Sequence, residues 1–193
     1  DGYDPSFTTS AEDAERYHAE QIASFADTEA DLVSALTMTN TEEAIGITRA
    51  AQNAGIPAAI SFTLETDGRL PSGTPLAEAI LEVDAATDNR PAYYMINCAH
   101  PTHFDDVLEG RGGSVRRIRG IRANASRKGH DELDTATELD EGDLYELASE
   151  YASLVARFPE LTILGGCCGT DERHIEQIAS ACITSAWPRT ARA

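Results

Sequence analysis

Positive charge is scarce in this chain. Against 33 Asp and Glu there are only 15 Lys and Arg, a formal net charge of -18 over 193 residues. Nucleic acid and anionic membrane surfaces both need a positive face, so neither is expected as a partner. No apolar run approaches the roughly 18 residues that span a bilayer. The opening DGYDPSFTTS has neither the basic nor the apolar region of a signal peptide. Cysteine is sparse too: four in the chain, two of them adjacent, which is not the density of a disulfide scaffold. A reducing cytoplasm is the expected setting, with the thiols kept for metal or for chemistry. What remains is ordinary, with 41% hydrophobic and 25% charged residues, the composition of a globular domain.

Helical and extended periodicities alternate along the chain. Ser10 with Asp13 reads as a helix start, followed by apolar residues at helical spacing from Ala11 to Phe25. Strands are expected over 31–36, 57–62, 92–97, 118–123 and 161–164. Helices follow each: from Asn40 to Gly55, from a Thr74 N-cap and Pro75 first turn through Val83, briefly around Phe104 to Leu108, from Leu144 to Phe158, and from Ile175 to Cys182. Strands that alternate with helices imply a parallel sheet with right-handed crossovers. A doubly wound sheet and part of a (β/α)8 barrel both satisfy this pattern.

Chemistry concentrates at two strand ends. In YYMINCAHPTHF, Cys98 directly follows the third strand. In LTILGGCCGTDERH, Gly165 and Gly166 leave the fifth strand and Cys167 and Cys168 follow. Ligands of α/β proteins gather at the carboxyl ends of strands, so three thiols could meet at one mouth. Three thiolates suit zinc and leave a fourth tetrahedral position open, as catalytic sites do; three small buried hydrophobes are the competing reading. Cys182 falls on an apolar helical stripe and reads as core. His100, His103 and His174 read as neighbours of the cysteines rather than ligands. Glu65 and Asp67 could touch substrate or simply shape a turn ending at Gly68. The basic residues between Arg111 and Lys128 could bind an anion, but pairing with the abundant carboxylates explains them. The acidic stretch from Glu132 to Asp143 reads as a solvated loop and helix entrance.

GGCCGTDERHI, INCAHPTHF and SFTLETDGRLPSG together resemble the homocysteine S-methyltransferase family, which includes betaine-, S-methylmethionine- and folate-linked enzymes. The resemblance runs from DGYDP to the last helix. It implies a (β/α)8 barrel, Zn2+ at its C-terminal mouth held by Cys98, Cys167 and Cys168, and methyl transfer from a small-molecule donor to a thiol, homocysteine first. It implies substrate contacts at Thr37, Glu65 and Asn97. Such barrels need about 250 residues, so 1–193 is expected to form the C-terminal part, about five β/α units, with the first three strands missing and an open sheet edge suited to association. Where the family carries an acid before Thr37, this chain has Leu36, which puts the amino group of the acceptor in question. A zinc-binding module without turnover, or an incomplete fragment, is the alternative.

Overall fold

The computed structural model describes residues 8–110 and 112–186, with side chains described through 183. Arg111 and the DGYDP start therefore lie outside the described residues. The elements run α1 (Ala11–Ala26), β1 (Val33–Met38), α2 (Thr41–Ala54), β2 (Ala58–Thr63), α3 (Leu76–Thr87), β3 (Tyr93–Asn97), α4 (Asp105–Glu109), β4 (Ile118–Ala123), α5 (His130–Asp134), α6 (Leu144–Arg157), β5 (Ile163–Gly166) and α7 (Glu172–Ala186).

Local chemistry accounts for most of the boundaries. Ser10 accepts from the Asp13 amide and Asn40 from the Glu43 amide, each satisfying a free N–H of the first turn. Asp143 caps α6 through the amides of Tyr145 and Glu146. Gly55 closes α2 with φ 74, which carries no Cβ penalty in glycine. The expected cap at Thr74 is not found. Pro75 holds the N-cap position of α3 without a side-chain bond, because Thr74 is taken up by the preceding turn, where its carbonyl accepts from the Leu70 amide. Two strands start two residues later than their apolar runs. β1 begins at Val33 and β5 at Ile163, where pairing with Ala58 and Gly120 starts.

The strands form one parallel sheet in the order β1-β2-β3-β4-β5, each beside its chain neighbour. A doubly wound sheet reverses its order partway; this one never does. Right-handed crossovers that all step the same way put every helix on one face. The sheet is therefore a length of barrel wall. β1 and β5 are its edges, each pairing with one strand among the described residues.

The helix face carries the core. Ile60, Phe62, Tyr94, Ile96 and Ile121 are fully buried there, each contributing about 1.5–3 kcal/mol by leaving water. Phe62 and Tyr94 stack with centroids 6.1 Å apart. The Tyr94 hydroxyl donates to Asp84 at 2.7 Å, and Arg117 pairs with Asp84 and lies over the Tyr94 ring. Burial, then Asp84, pushes the Tyr94 hydroxyl well above its usual pKa. α1 crosses α2 at Gly46, where an added Cβ would stand 2.5 Å from the Ala14 Cβ and 2.6 Å from the Ala11 carbonyl oxygen. The opposite face uses small or polar residues: Ala59, Ser61 and Thr63 on β2, Met95 and Asn97 on β3, Gly120 and Arg122 on β4, Gly165 on β5. Gly120 makes room for Met95, whose Sδ would lie 2.7 Å from a Cβ there.

The expectation that the basic stretch pairs with carboxylates holds for half of its described residues: Arg117 pairs with Asp84, and Arg127 and Lys128 are paired too, whereas Arg116, Arg119 and Arg122 have no carboxylate partner among the described residues. Arg127 bridges to Glu146 and Glu150, and Lys128 to Asp140. The acidic stretch differs from a plain loop, since α5 occupies its start. Asp140 is held down to about 2 by its hydrogen bond from Lys128, with help from the Gly142 amide and Ser126.

Candidate metal centre

The ends of β3, β4 and β5 build the site together. Cys98 follows β3 with φ 54, a left-handed conformation that a non-glycine residue adopts only under constraint. The constraint consists of hydrogen bonds. Its amide donates to the Arg122 carbonyl at 3.1 Å. Its carbonyl accepts from Asn124 Nδ2 at 3.1 Å and meets His130 Nε2 at 2.7 Å.

The turn after β5 is fastened to the same strand end. The Cys167 amide donates to the Ala123 carbonyl at 2.8 Å, and the Cys168 amide to Asn124 Oδ1 at 3.1 Å. The Cys168 carbonyl accepts from the Ala125 amide at 2.9 Å. Asn124, 3% exposed, thus joins the two cysteine segments with one carboxamide. Its orientation follows from its partners, because an amide must meet the oxygen and a carbonyl must meet the nitrogen. Gly169 takes φ 77 and passes 2.4 Å, measured from a hypothetical Cβ, from the Asp140 carbonyl oxygen, so a side chain there would displace backbone. Tyr151, deep in α6, receives the Ala123 amide at 2.8 Å and donates to the Gly165 carbonyl at 2.6 Å, tying β4 and β5 just beneath the cysteines.

The result brings the sulfurs of Cys98, Cys167 and Cys168 all within 4.8 Å of one another. Cys98 and Cys167 are in direct sulfur contact, with Cα atoms 5.5 Å apart. Cys98 is buried, Cys167 half-buried and Cys168 exposed. The cluster therefore has a sealed floor and one open side. Soft thiolate ligands converging from two strand ends, with access left on one side, fit a divalent metal such as zinc. Beside Cys168 a cleft is walled by Asn124, His130, Leu133, Leu139 and Gly169.

The histidines serve other ends. His174 is buried between Asp171 (3.0 Å) and the Glu141 carbonyl (2.9 Å), where it pins the start of α7. His103 Nε2 meets the Arg127 carbonyl at 2.8 Å. His100 lies between Thr102 and Glu150, and burial lowers its pKa to about 4, assisted by the positive charges of Arg127 and His103. Burial shifts Glu150 the other way, upward. Cys182 is buried in the core, as its spacing predicts, and burial raises its thiol.

Thr37, Glu65 and Asn97 come to this same end of the sheet. Thr37 has φ 63, at the register shift between Ala35 and Met38. Asn97, 2% exposed, accepts from the Thr37 amide (2.9 Å) and the Ser61 hydroxyl (2.6 Å), and donates to the Thr37 hydroxyl (2.8 Å). Its carboxamide braces three strands. Glu65 is bonded to His130 Nδ1 at 3.1 Å. Asn124, His130 and Arg122 are the residues that sequence reasoning missed. Asn124 had a usable signal, since it follows β4 just as Cys98 follows β3. His130 had none, because its partners come from remote segments.

The fold and this site define an α/β protein whose parallel sheet is part of a barrel wall, with a thiol cluster at the carboxyl ends of its strands. The homocysteine S-methyltransferase family model matches residues 1–182, and the chain belongs to that family. Methionine synthase from Mycobacterium leprae is 29% identical over 142 residues, 71% of this chain but 11% of that protein. The homocysteine methyltransferase MmuM from Escherichia coli shares the fold. Its apo form superposes with TM-score 0.63 at 17% identity over 91% of this chain and 59% of its own. Its metallated form gives 0.65 at 18% over 93% and 55%. The chain thus spans little more than half of the solved relatives and about a tenth of the methionine synthase.

Proposed function

We propose that this chain forms the metal- and acceptor-binding part of a zinc-dependent S-methyltransferase, which moves a methyl group from a small-molecule donor to a thiol, with homocysteine to methionine the first candidate reaction. The observation that carries the reading is the convergence of Cys98, Cys167 and Cys168 within 4.8 Å from two strand ends. When bound there, zinc would strip the proton from an acceptor thiol and so supply the thiolate nucleophile without a general base.

The chain's own residues do the positioning. The three cysteines would hold the ion, with Cys98 buried beneath it and Cys168 on the exposed side. Asn124 and the β4 end keep the two cysteine segments in register. Asn97 and Thr37 form a rigid floor across three strands, and Glu65, anchored on His130, offers its second oxygen to the substrate. Displacement at a methyl carbon needs chiefly that the two partners be held in line, which suits a site with few titrating groups. The thiol-rich site accords with a reducing, cytoplasmic setting.

A second reading is a metal-binding module without turnover, which the thiol cluster alone would serve equally well. A disulfide between Cys98 and Cys167 also fits their contact, but it would leave Cys168 without a role. Zinc content and methyl transfer to a thiol panel, assayed with sulfonium, ammonium and folate donors, decide among these. Stoichiometric zinc with methylated homocysteine or another thiol is the expected result. Zinc without transfer from any donor would leave the binding module. No zinc after reduction would leave the disulfide.

A further inference from the structure

In a chain so rich in carboxylates, Arg122 has no carboxylate partner among the described residues. It lies on the face of β4 away from the helices, between Asn97 of β3 and Gly165 of β5. Its stem passes over Gly165, where an added Cβ would stand 3.4 Å from the Arg122 Cγ, an ordinary contact distance. Its Nε donates to the Gly166 carbonyl at 3.3 Å, one residue before Cys167. That single bond fixes the direction of an otherwise exposed side chain. The two terminal nitrogens make no further hydrogen bond or ion pair among the described residues. Arg117, Arg127, Arg157 and Arg173 are all ion-paired. Arg90, Arg116 and Arg119 lack carboxylates too, but the first two lie beside clefts remote from the sulfurs, and Arg119 sits at the opposite end of β4.

We propose that Arg122 anchors the carboxylate of the acceptor, and that the acceptor is therefore a mercapto acid whose sulfur goes to the cysteine cluster and whose carboxylate goes to the guanidinium. The proposal rests on the reading of that cluster as the place where an acceptor thiol binds. A guanidinium presents two parallel N–H donors that match a carboxylate, and such bonds are the strong kind. Charge supplies a second reason. Three thiolates outweigh a divalent cation, so an anionic acceptor approaches a centre of its own sign, within a chain already at -18. A cation beside the cluster offsets that repulsion. Among the described residues the provision for an ammonium group is weaker, a single oxygen of Glu65. Leu36 on the same face of β1 is apolar and 37% exposed, and Glu65 already holds His130.

The test uses the full chain loaded with Co2+, whose visible absorption changes when a thiolate binds. It is titrated with 3-mercaptopropionate, 2-mercaptoethanol and cysteamine, which differ in the group opposite the sulfur. Mercaptopropionate should bind about tenfold or more tighter than mercaptoethanol, the increment of a charge-assisted bond, with cysteamine weakest. Arg122→Gln should bring mercaptopropionate down to the level of mercaptoethanol and leave mercaptoethanol itself unchanged, and Arg122→Lys should restore part of the difference. Equal binding of the three thiols to the native protein would overturn the proposal while leaving the thiol site intact. So would an Arg122→Gln protein that weakens all three alike, which marks a structural role. If no thiol perturbs the cobalt spectrum, the acceptor-site reading fails and takes this one with it.

Discussion

Asn124 is the sharpest place to test whether the β4 end organises the cysteine cluster. Asn124→Ala removes the donation to the Cys98 carbonyl and the acceptance from the Cys168 amide, both 3.1 Å. The Cys98 carbonyl keeps His130 at 2.7 Å, and Cys168 is exposed enough for water to reach its amide. Neither group is fully orphaned, so the loss should sit near the low end for two hydrogen bonds, about 1–2 kcal/mol. The effect on metal should be larger in proportion. Cys98 holds a left-handed φ of 54 that Asn124 helps to enforce. Removing a group that orients a ligand typically costs 10–100-fold in affinity, and a loss of roughly that size is expected here. Urea denaturation of the metal-free protein gives the first quantity, and competition with a chromophoric chelator gives the second. Zinc affinity within about twofold of the native value, alongside a stability loss of the expected size, would refute the reasoning. Asn124 would then hold the fold but not the ligands.

Replacing Cys98, Cys167 or Cys168 by alanine should each lower zinc content sharply, whereas Cys182→Ala should leave it unchanged in the same metal assay, since Cys182 is buried in the helix-face core. Gly46→Ala should destabilise by about 1–3 kcal/mol or more in a denaturation curve, because its Cβ would meet α1 backbone that cannot yield without moving the helix. His100 gives a pH signature. Its folded pKa of about 4 lies below the usual histidine value, so the unfolded chain binds the proton first. Its contribution is present above pH ~6.5 and is lost as pH falls towards 4, on the order of 3 kcal/mol in all. Glu150, raised by burial, works in the opposite sense. Metal-free His100→Gln should therefore lose less stability than the native protein across that window, and identical slopes would contradict the assignment.

Much of this molecule was legible in one dimension. Caps at Ser10, Asn40 and Asp143 and the stop at Gly55 act within a few residues, so local hydrogen bonding alone writes them into the chain. The alternation of strand and helix carries the parallel sheet, because hydrophobic periodicity records which face of each element is buried. The three cysteines were visible because strand ends are predictable and thiols at strand ends are rare. What periodicity left open was how the strands are ordered. Sequential pairing from β1 to β5 separates a barrel wall from a doubly wound sheet, and that depends on which strands are neighbours, a long-range fact with no local signature. The pairings of Asn124 with Cys98 and Cys168, of His130 with Glu65, and the isolation of Arg122 belong to the same category. The sequence by itself determined the elements and the chemistry they could carry. Only the tertiary structure decided which side chains spend their hydrogen-bonding capacity on one another and which remain to meet a ligand, because those partners lie tens of residues apart along the chain and meet only when the sheet closes up.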